Sequence, residues 1–418
     1  MSCGFVPPKR HTQHRLESGD LAFEELMGEE GFSSDSSLLY HRNLPSRIID
    51  AQEWQPGDLT TRPNHPLKPL HLKLHDLFDV DQIDGVDVVQ GRRLVLGNAD
   101  VRISYVVAGA PSSLYRNGIG DECLFVERGT ARVETIFGAF EVGPGDYVVI
   151  PRATTHRWLP SGEGEPLRVY CIEANSHIAP PKRYLSRFGQ LLEHSPYCER
   201  DLRCPDGPLL ADAIGEDPSA GTEVLIKHRG NGPGGVVGTV FTYPFHPFDV
   251  VGWDGYLWPY IFNIGDFEPI TGRVHQPPPV HQTFAARNYV VCSFVPRKFD
   301  YHPLAIPAPY NHSNINSDEV IYYVAGNFMS RRGVEISSFT VHPAGIPHGP
   351  HPGTVEASIG KEATEELAVM VDTFHPLNLT KAAADLDDPA YPYSWLPPED
   401  GGDSARQLSE RGPEAFPD

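Results

Sequence analysis

Apolar residues fall along this chain in short runs, each closed by glycine or proline, and the runs read as strands. Residues 320–324 are β-branched and aromatic, which predicts a strand that Gly326 ends. Residues 337–342 predict a second strand, after which Pro343-Ala344-Gly345-Ile346-Pro347 turns the chain before His348. Residues 147–150 predict another strand, entered from the turn Val142-Gly143-Pro144-Gly145-Asp146. Residues 367–374 predict the last strand. Residues 34–39 and 44–46 are expected to be extended. Short helices are expected only at 23–27, 186–193 and 208–214. The glycine-rich stretch 230–235 marks a surface loop or joint. Residues 243–267 are dense in aromatics, which suits a core or a pocket wall.

The pattern occurs twice. Asp121-Glu122 precedes CLFVERG and Asp318-Glu319 precedes VIYYVAG, with each acidic pair at the same distance from its glycine. Ile150-Pro151 leads to His156 as His342-Pro343 leads to His348. Two equivalent β-barrels are the simplest explanation. The fold class is therefore mainly β, with two barrel domains and a few short helices. The expected division is 1–265 for the first domain and 266–396 for the second, with 397–418 as a disordered acidic tail.

Composition narrows the reading. The 418 residues suffice for two or three domains with real cores. With 41 prolines and 39 glycines, turns are many and long helices few. A formal net charge of -21 argues against nucleic acid or an anionic membrane as a partner. The six cysteines form no CxxC pair, and Cys123 and Cys292 sit in apolar runs as small core residues. No apolar run approaches membrane-spanning length and the N-terminus has no apolar signal core, so a reduced, cytoplasmic protein is expected.

The candidate chemistry lies in the second repeat. His312, Glu319 and His348 offer two imidazoles and one carboxylate, the facial set of non-haem Fe(II) oxygenases. A lone histidine in a β protein is most often a satisfied polar residue; three such groups in this order, beside His342 and His351, point to a metal. Neighbours on a strand face opposite ways, so only one of Asp318 and Glu319 looks inward. Glu319 would share a face with Ile321 and Tyr323, and this alternation alone leaves the choice between the two open. The first repeat has Leu114-Tyr115-Arg116-Asn117 where the second has His312. Glu122 and His156 alone leave a metal short of ligands, so that domain is read as structural. His275 comes from a separate segment, Arg273 to His281. On its residues alone it is equally a loop histidine with no role.

Taken together, HPFDVVGWDGYLWPY, the segment holding His275, LYHRNLP at 39–45, FGAFEVGPGDYVVIPR and the metal segments ending in PHGP resemble the homogentisate 1,2-dioxygenase family over most of the chain. The resemblance implies a metal-free N-terminal β domain and a C-terminal cupin domain holding Fe(II). It implies His312, Glu319 and His348 as iron ligands, with Glu319 at the cupin distance before Gly326, and His275 as acid/base. Tyr310 and His342 would lie at the substrate, as would position 328, where this chain has phenylalanine and the family tyrosine. Ser313 and Pro307 stand where the family carries arginine. The implied reaction is O2-dependent ring opening of homogentisate to maleylacetoacetate, by a homotrimer or homohexamer. A related hydroquinone or gentisate-like substrate is the alternative. A non-oxygenase metal cupin, such as an isomerase, and a small-molecule binding protein remain as other classes.

Overall fold

A computed structural model describes residues 3–4, 11–162, 164–329 and 333–396. The tail expected from residue 397 lies outside the described residues. The chain divides into two compact units, one of residues 1–60, 79–94 and 101–266, the other of 61–78, 95–100 and 267–418. The last break falls beside the boundary expected at 265. The division is not a single cut, however, because two earlier segments belong to the second unit. One of them holds strand Leu70–Lys73, which pairs with the edge of Ser338–His342.

The first unit is built on two main sheets. One runs antiparallel in the order Leu202–Arg203, Tyr260–Asn263, Asp146–Ile150, Glu122–Arg128, Leu167–Ala174, Val101–Ala108. The other has the order Gly138–Val142, Ala131–Thr135, His156–Pro160, Tyr115–Asn117, Thr222–Arg229, Val236–Tyr243, Asp50–Trp54. All eight residues of Val101–Ala108 are buried, so the strand has no polar-out alternation. The aromatics Tyr243, Phe245, Phe248, Trp253 and Trp258 join one core cluster, which makes the 243–267 stretch mainly packing.

The second unit is built on one antiparallel sheet, Gln282–Ala286, Tyr289–Phe294, Leu367–Thr373, Asp318–Ala325, Ser338–His342, Leu70–Lys73. A two-stranded piece, Arg297–Lys298 with Ala363–Thr364, lies apart from it. The α-helices of the described residues are Thr354–Ser358 and Lys381–Asp385, five residues each.

Several local expectations fail. Residues 23–27 lie in a strand, Phe23–Gly28, because the neighbouring run Ser36–His41 supplies cross-strand partners that a helix would not use. Residues 44–46 turn instead of extending, with Arg47 N–H donating to the Leu44 carbonyl. Residues 186–193 form a turn closed by the Leu185–Leu191 bridge, not a helix. Within 208–214 only Ala211–Ile214 is helical, a single 3-10 turn ended by Gly215 at φ 80°.

Candidate metal centre

The two repeats match residue by residue. Glu122 pairs across its sheet with Ile150 and Glu173; Glu319 pairs with His342 and Asp372. Tyr115 lies opposite His156, as His312 lies opposite His348. The leading aspartates do the same work in each. Asp121 accepts from the backbone N–H of Arg152 and Ile178, both at 2.8 Å, and Asp318 from Ala344 at 2.8 Å and Leu377 at 2.7 Å. These aspartates are backbone clamps, which leaves Glu122 and Glu319 to look inward.

In the second unit, backbone bonds bring two histidines together. His312 N–H donates to the His348 carbonyl and His348 N–H to that of His312, each at 2.9 Å. The ring Nδ1 of His312 lies 3.2 Å from the Tyr310 carbonyl, and that of His348 lies 3.1 Å from the Ile346 carbonyl. A carbonyl only accepts, so each Nδ1 carries the proton and each Nε2 keeps its lone pair. Both Nε2 atoms face Glu319, at 3.5 Å from Oε2 for His312 and 3.4 Å from Oε1 for His348. One ligand atom from each of the three lies within 4.8 Å of the others. His348 Nε2 is buried and makes no hydrogen bond. A buried lone pair without a donor, next to a carboxylate and a second lone pair, fits a divalent metal.

Glu319 is itself held from behind. Asn314 Nδ2 donates to Oε2 at 3.3 Å, and His342 Nδ1 lies 3.0 Å from Oε1. His342 Nε2 reaches the Tyr391 hydroxyl at 3.0 Å, and its ring stacks on His348 at 4.3 Å. Burial pushes the Glu319 carboxyl up, but the three imidazoles around it, His312, His342 and His348, outweigh it and hold it well below the usual carboxylate range. His342 therefore sits behind the carboxylate, and it is not part of the cavity wall.

A cavity of about 890 Å³ opens on the cluster. His275, Tyr310, His312, Glu319, Phe328 and Asp372 line it, as does Pro307. Ser313 does not. His275 is exposed, and its Nδ1 lies 2.7 Å from Asp300 Oδ2. Its ring meets Tyr310 edge-on at 5.8 Å, and Tyr310 meets His312 at 6.4 Å. Phe328 packs on Tyr323 at 4.5 Å. Burial, with the charge of Glu319 added, pushes Asp372 up to about 8.

The same place in the first unit is filled by protein cations. Arg92 gives both ends of its fork to Glu122, 2.9 Å each, and also reaches Glu173 at 2.6 Å. Lys227 pairs with Glu173. Tyr115 and Asn117 donate to Glu122 Oε1 at 3.0 and 2.8 Å. Burial raises Glu122, and Arg92 and then Lys227 outweigh it, so the carboxylate stays ionised. The His156 Nδ1 bonds to the Thr154 carbonyl at 3.0 Å, as His348 does to Ile346, but it faces a tyrosine at the place of the second histidine.

Sequence reasoning missed Asp300, Asn314, Asp372 and Tyr391. Asn314 had a signal, because Asn117 stands two residues after Tyr115 as Asn314 does after His312. Asp372 had one too, as the acid in the apolar run LAVMVDT. Asp300 and Tyr391 had none, since neither lies in a repeated word.

Residues 45–264 match the family described as homogentisate 1,2-dioxygenase N-terminal. A candidate dioxygenase of Saccharolobus solfataricus is 39% identical over 396 residues, 94% of this chain and 97% of that protein. A homogentisate 1,2-dioxygenase of Rhodopseudomonas palustris is 28% identical over 309 residues, 70% of this chain and 65% of that one. Among solved structures, a cupin 2 conserved barrel domain protein from Leptotrichia buccalis aligns over 73% of this chain and 95% of its own, at 10% identity and a TM-score of 0.32, too low to carry an argument. The class is that of a dioxygenase. The chain belongs to the homogentisate 1,2-dioxygenase family.

Proposed function

We propose that this chain is an Fe(II)-dependent, ring-cleaving dioxygenase for a dihydroxylated aromatic ring, with homogentisate to maleylacetoacetate as the leading reaction. The observation that carries it is the convergence of His312, Glu319 and His348, one ligand atom of each within 4.8 Å of the others, with His312 and Glu319 lining a cavity. His312, Glu319 and His348 would hold the metal. When bound, Fe(II) supplies a redox-active centre with positions open to O2 and a ring hydroxyl.

The chain's own residues do the rest. Asn314 and His342 fix the orientation of Glu319. His275 lines the cavity and takes or returns a phenolic proton. Asp300 holds the proton on its Nδ1, which leaves Nε2 as the acceptor. Tyr310 stands between His275 and His312 and sets the width of the opening between them. The partners are a small aromatic substrate and O2, with no nucleic acid or membrane. Assembly as a homotrimer or homohexamer and a cytoplasmic location go with this reading. Among the described residues no helix is long and apolar enough to cross a membrane.

A second reading keeps the chemistry and changes the ring: another substituted hydroquinone, or a gentisate-like compound. Phe328 and Pro307 favour it, since both line the cavity where the family's tyrosine hydroxyl and arginine would serve the substrate. The experiment is anaerobic loading with Fe(II) or Zn(II), then O2 uptake with homogentisate, gentisate and substituted hydroquinones. Uptake with iron and none with zinc is expected. Equal turnover with zinc, or no uptake with any ring, would overturn the proposal.

A further inference from the structure

Two free cysteines from distant parts of the first unit meet at its surface. Cys3 Sγ lies 3.4 Å from Cys204 Sγ, across 201 residues of chain. Cys204 is exposed and Cys3 half-buried, and both line a shallow opening with Gly4 and residues 205–208. Small solutes in water can therefore reach them.

The backbone holds both sulfurs in place. Strand Cys3–Gly4 pairs with Gly255 and Asp254. A Cβ on Gly4 would meet the Trp253 carbonyl oxygen at 2.4 Å, so the strand lies tight on its neighbour. The Cys3 side chain packs against the core cluster that holds Phe137 and Trp253. Cys204 sits between two anchored stretches: Leu202–Arg203 pairs with Phe262 and Ile261, and Asp206 exchanges two 2.9 Å backbone bonds with Ala139. A disulfide needs its sulfurs about 2.05 Å apart, so the gap left to close is on the order of 1.3 Å.

The pair also differs chemically from the buried thiols. The hydrogen bond with Cys204 lowers the Cys3 thiol to about 7, and the same bond pushes Cys204 up. Near neutral pH Cys3 is therefore partly thiolate, the nucleophile of thiol–disulfide exchange, with a partner thiol in contact. Cys123, Cys171 and Cys292 are buried, and burial pushes Cys171 up to about 12 and Cys123 up as well.

We propose that Cys3 and Cys204 form a reversible disulfide, a redox-sensitive clasp that fastens strand Cys3–Gly4 to the segment after Leu202–Arg203. The oxidant is a low-molecular-weight disulfide of the glutathione class. The Cys3 thiolate attacks one of its sulfurs and expels a small thiolate, which leaves a mixed disulfide on Cys3. Cys204 then gives up its proton, and its sulfur attacks that of Cys3 and expels the second small thiolate. Two protein thiols lose two electrons, the small disulfide gains them, and the two thiol protons end on the released thiolates. The strand is two residues long, so few backbone bonds hold it. The clasp adds a covalent hold across a long loop, where a cross-link takes most freedom from the unfolded chain.

The test uses the full chain, first reduced, then exposed to oxidised glutathione near neutral pH. Non-reducing peptide mapping by mass spectrometry and thermal melting are read on wild type, Cys3→Ser and Cys204→Ser. Wild type should lose two hydrogens, with residues 3 and 204 in one cross-linked pair of peptides and no glutathione retained. Its melting midpoint should rise by roughly 5–15 °C, and dithiothreitol should reverse both changes. Each serine variant should melt with reduced wild type and show no rise on oxidation. Cys204→Ser should instead keep one glutathione on Cys3. Mapping needs only wild type, so it decides the matter even where a variant fails to fold. Glutathione retained on Cys3 of wild type, a cross-link from Cys204 to Cys198, or equal melting of the reduced and oxidised wild type overturns the proposal.

Discussion

His312 and His348 are joined by a reciprocal pair of backbone hydrogen bonds, each 2.9 Å, and each ring Nδ1 bonds to the carbonyl two residues before it. The chain thus fixes both tautomers without a metal. The placing of the two imidazoles follows from backbone pairing, and both Nε2 atoms face Glu319.

His275 stands outside this arrangement, tied to Asp300 at 2.7 Å. His275→Ala is expected to keep its full metal content and lose turnover by about 10²–10⁴-fold, the usual contribution of a general acid–base group. Asp300→Asn should lose less and move the pH profile of kcat, because the imidazole survives but its orientation and proton placement do not. Metal analysis beside steady-state rates decides this. A His275→Ala enzyme that purified without metal would make the residue a ligand instead.

The fork of Arg92 on Glu122 and Glu173 gives a stability prediction. Arg92→Met takes the paired cation from Glu122 and leaves Glu173 with Lys227 alone, and removing one partner of a buried pair costs about 3–5 kcal/mol. Chemical unfolding should show a loss of that order. Metal content per folded chain should stay the same. Unchanged stability would mean that Lys227 and the surrounding donors suffice alone.

Much of the candidate site was readable from spacing. His312, Glu319 and His348 stand in one local stretch, and the repeated Asp-Glu words marked their counterparts. What spacing could not show was how distant strands answer those words. Arg92 reaches Glu122 from another segment, and Asp372 meets Glu319 only once the sheet has formed. The misread helix at 23–27 has the same origin, because its strand exists only through Ser36–His41. The segment holding Leu70–Lys73 carried no sign that it would complete the second unit's sheet.

His41 gives a pH prediction. Burial lowers its basicity, but Asp249 at 2.8 Å and Glu25 at 3.1 Å outweigh it and push the ring up to about 9. The unfolded chain's histidine titrates near ~6.5. The folded value is the higher one, so this contribution is complete below ~6.5 and fades as pH rises toward 9. It amounts to about 3 kcal/mol at most. His41→Gln should therefore melt well below wild type at pH 6, and the gap should narrow by pH 9.5. A gap that stays constant across that range would show that the imidazole is neutral in the fold.

One metal per chain is expected, held by the second repeat and not the first. The direct measurement is iron bound per chain, after anaerobic loading and desalting, in wild type, His348→Ala, Glu319→Ala and His156→Ala. About one iron is expected in wild type and in His156→Ala, and almost none in the other two, since two remaining protein ligands do not hold a metal firmly. Iron lost equally from His156→Ala and His348→Ala, or retained in Glu319→Ala, would contradict the account.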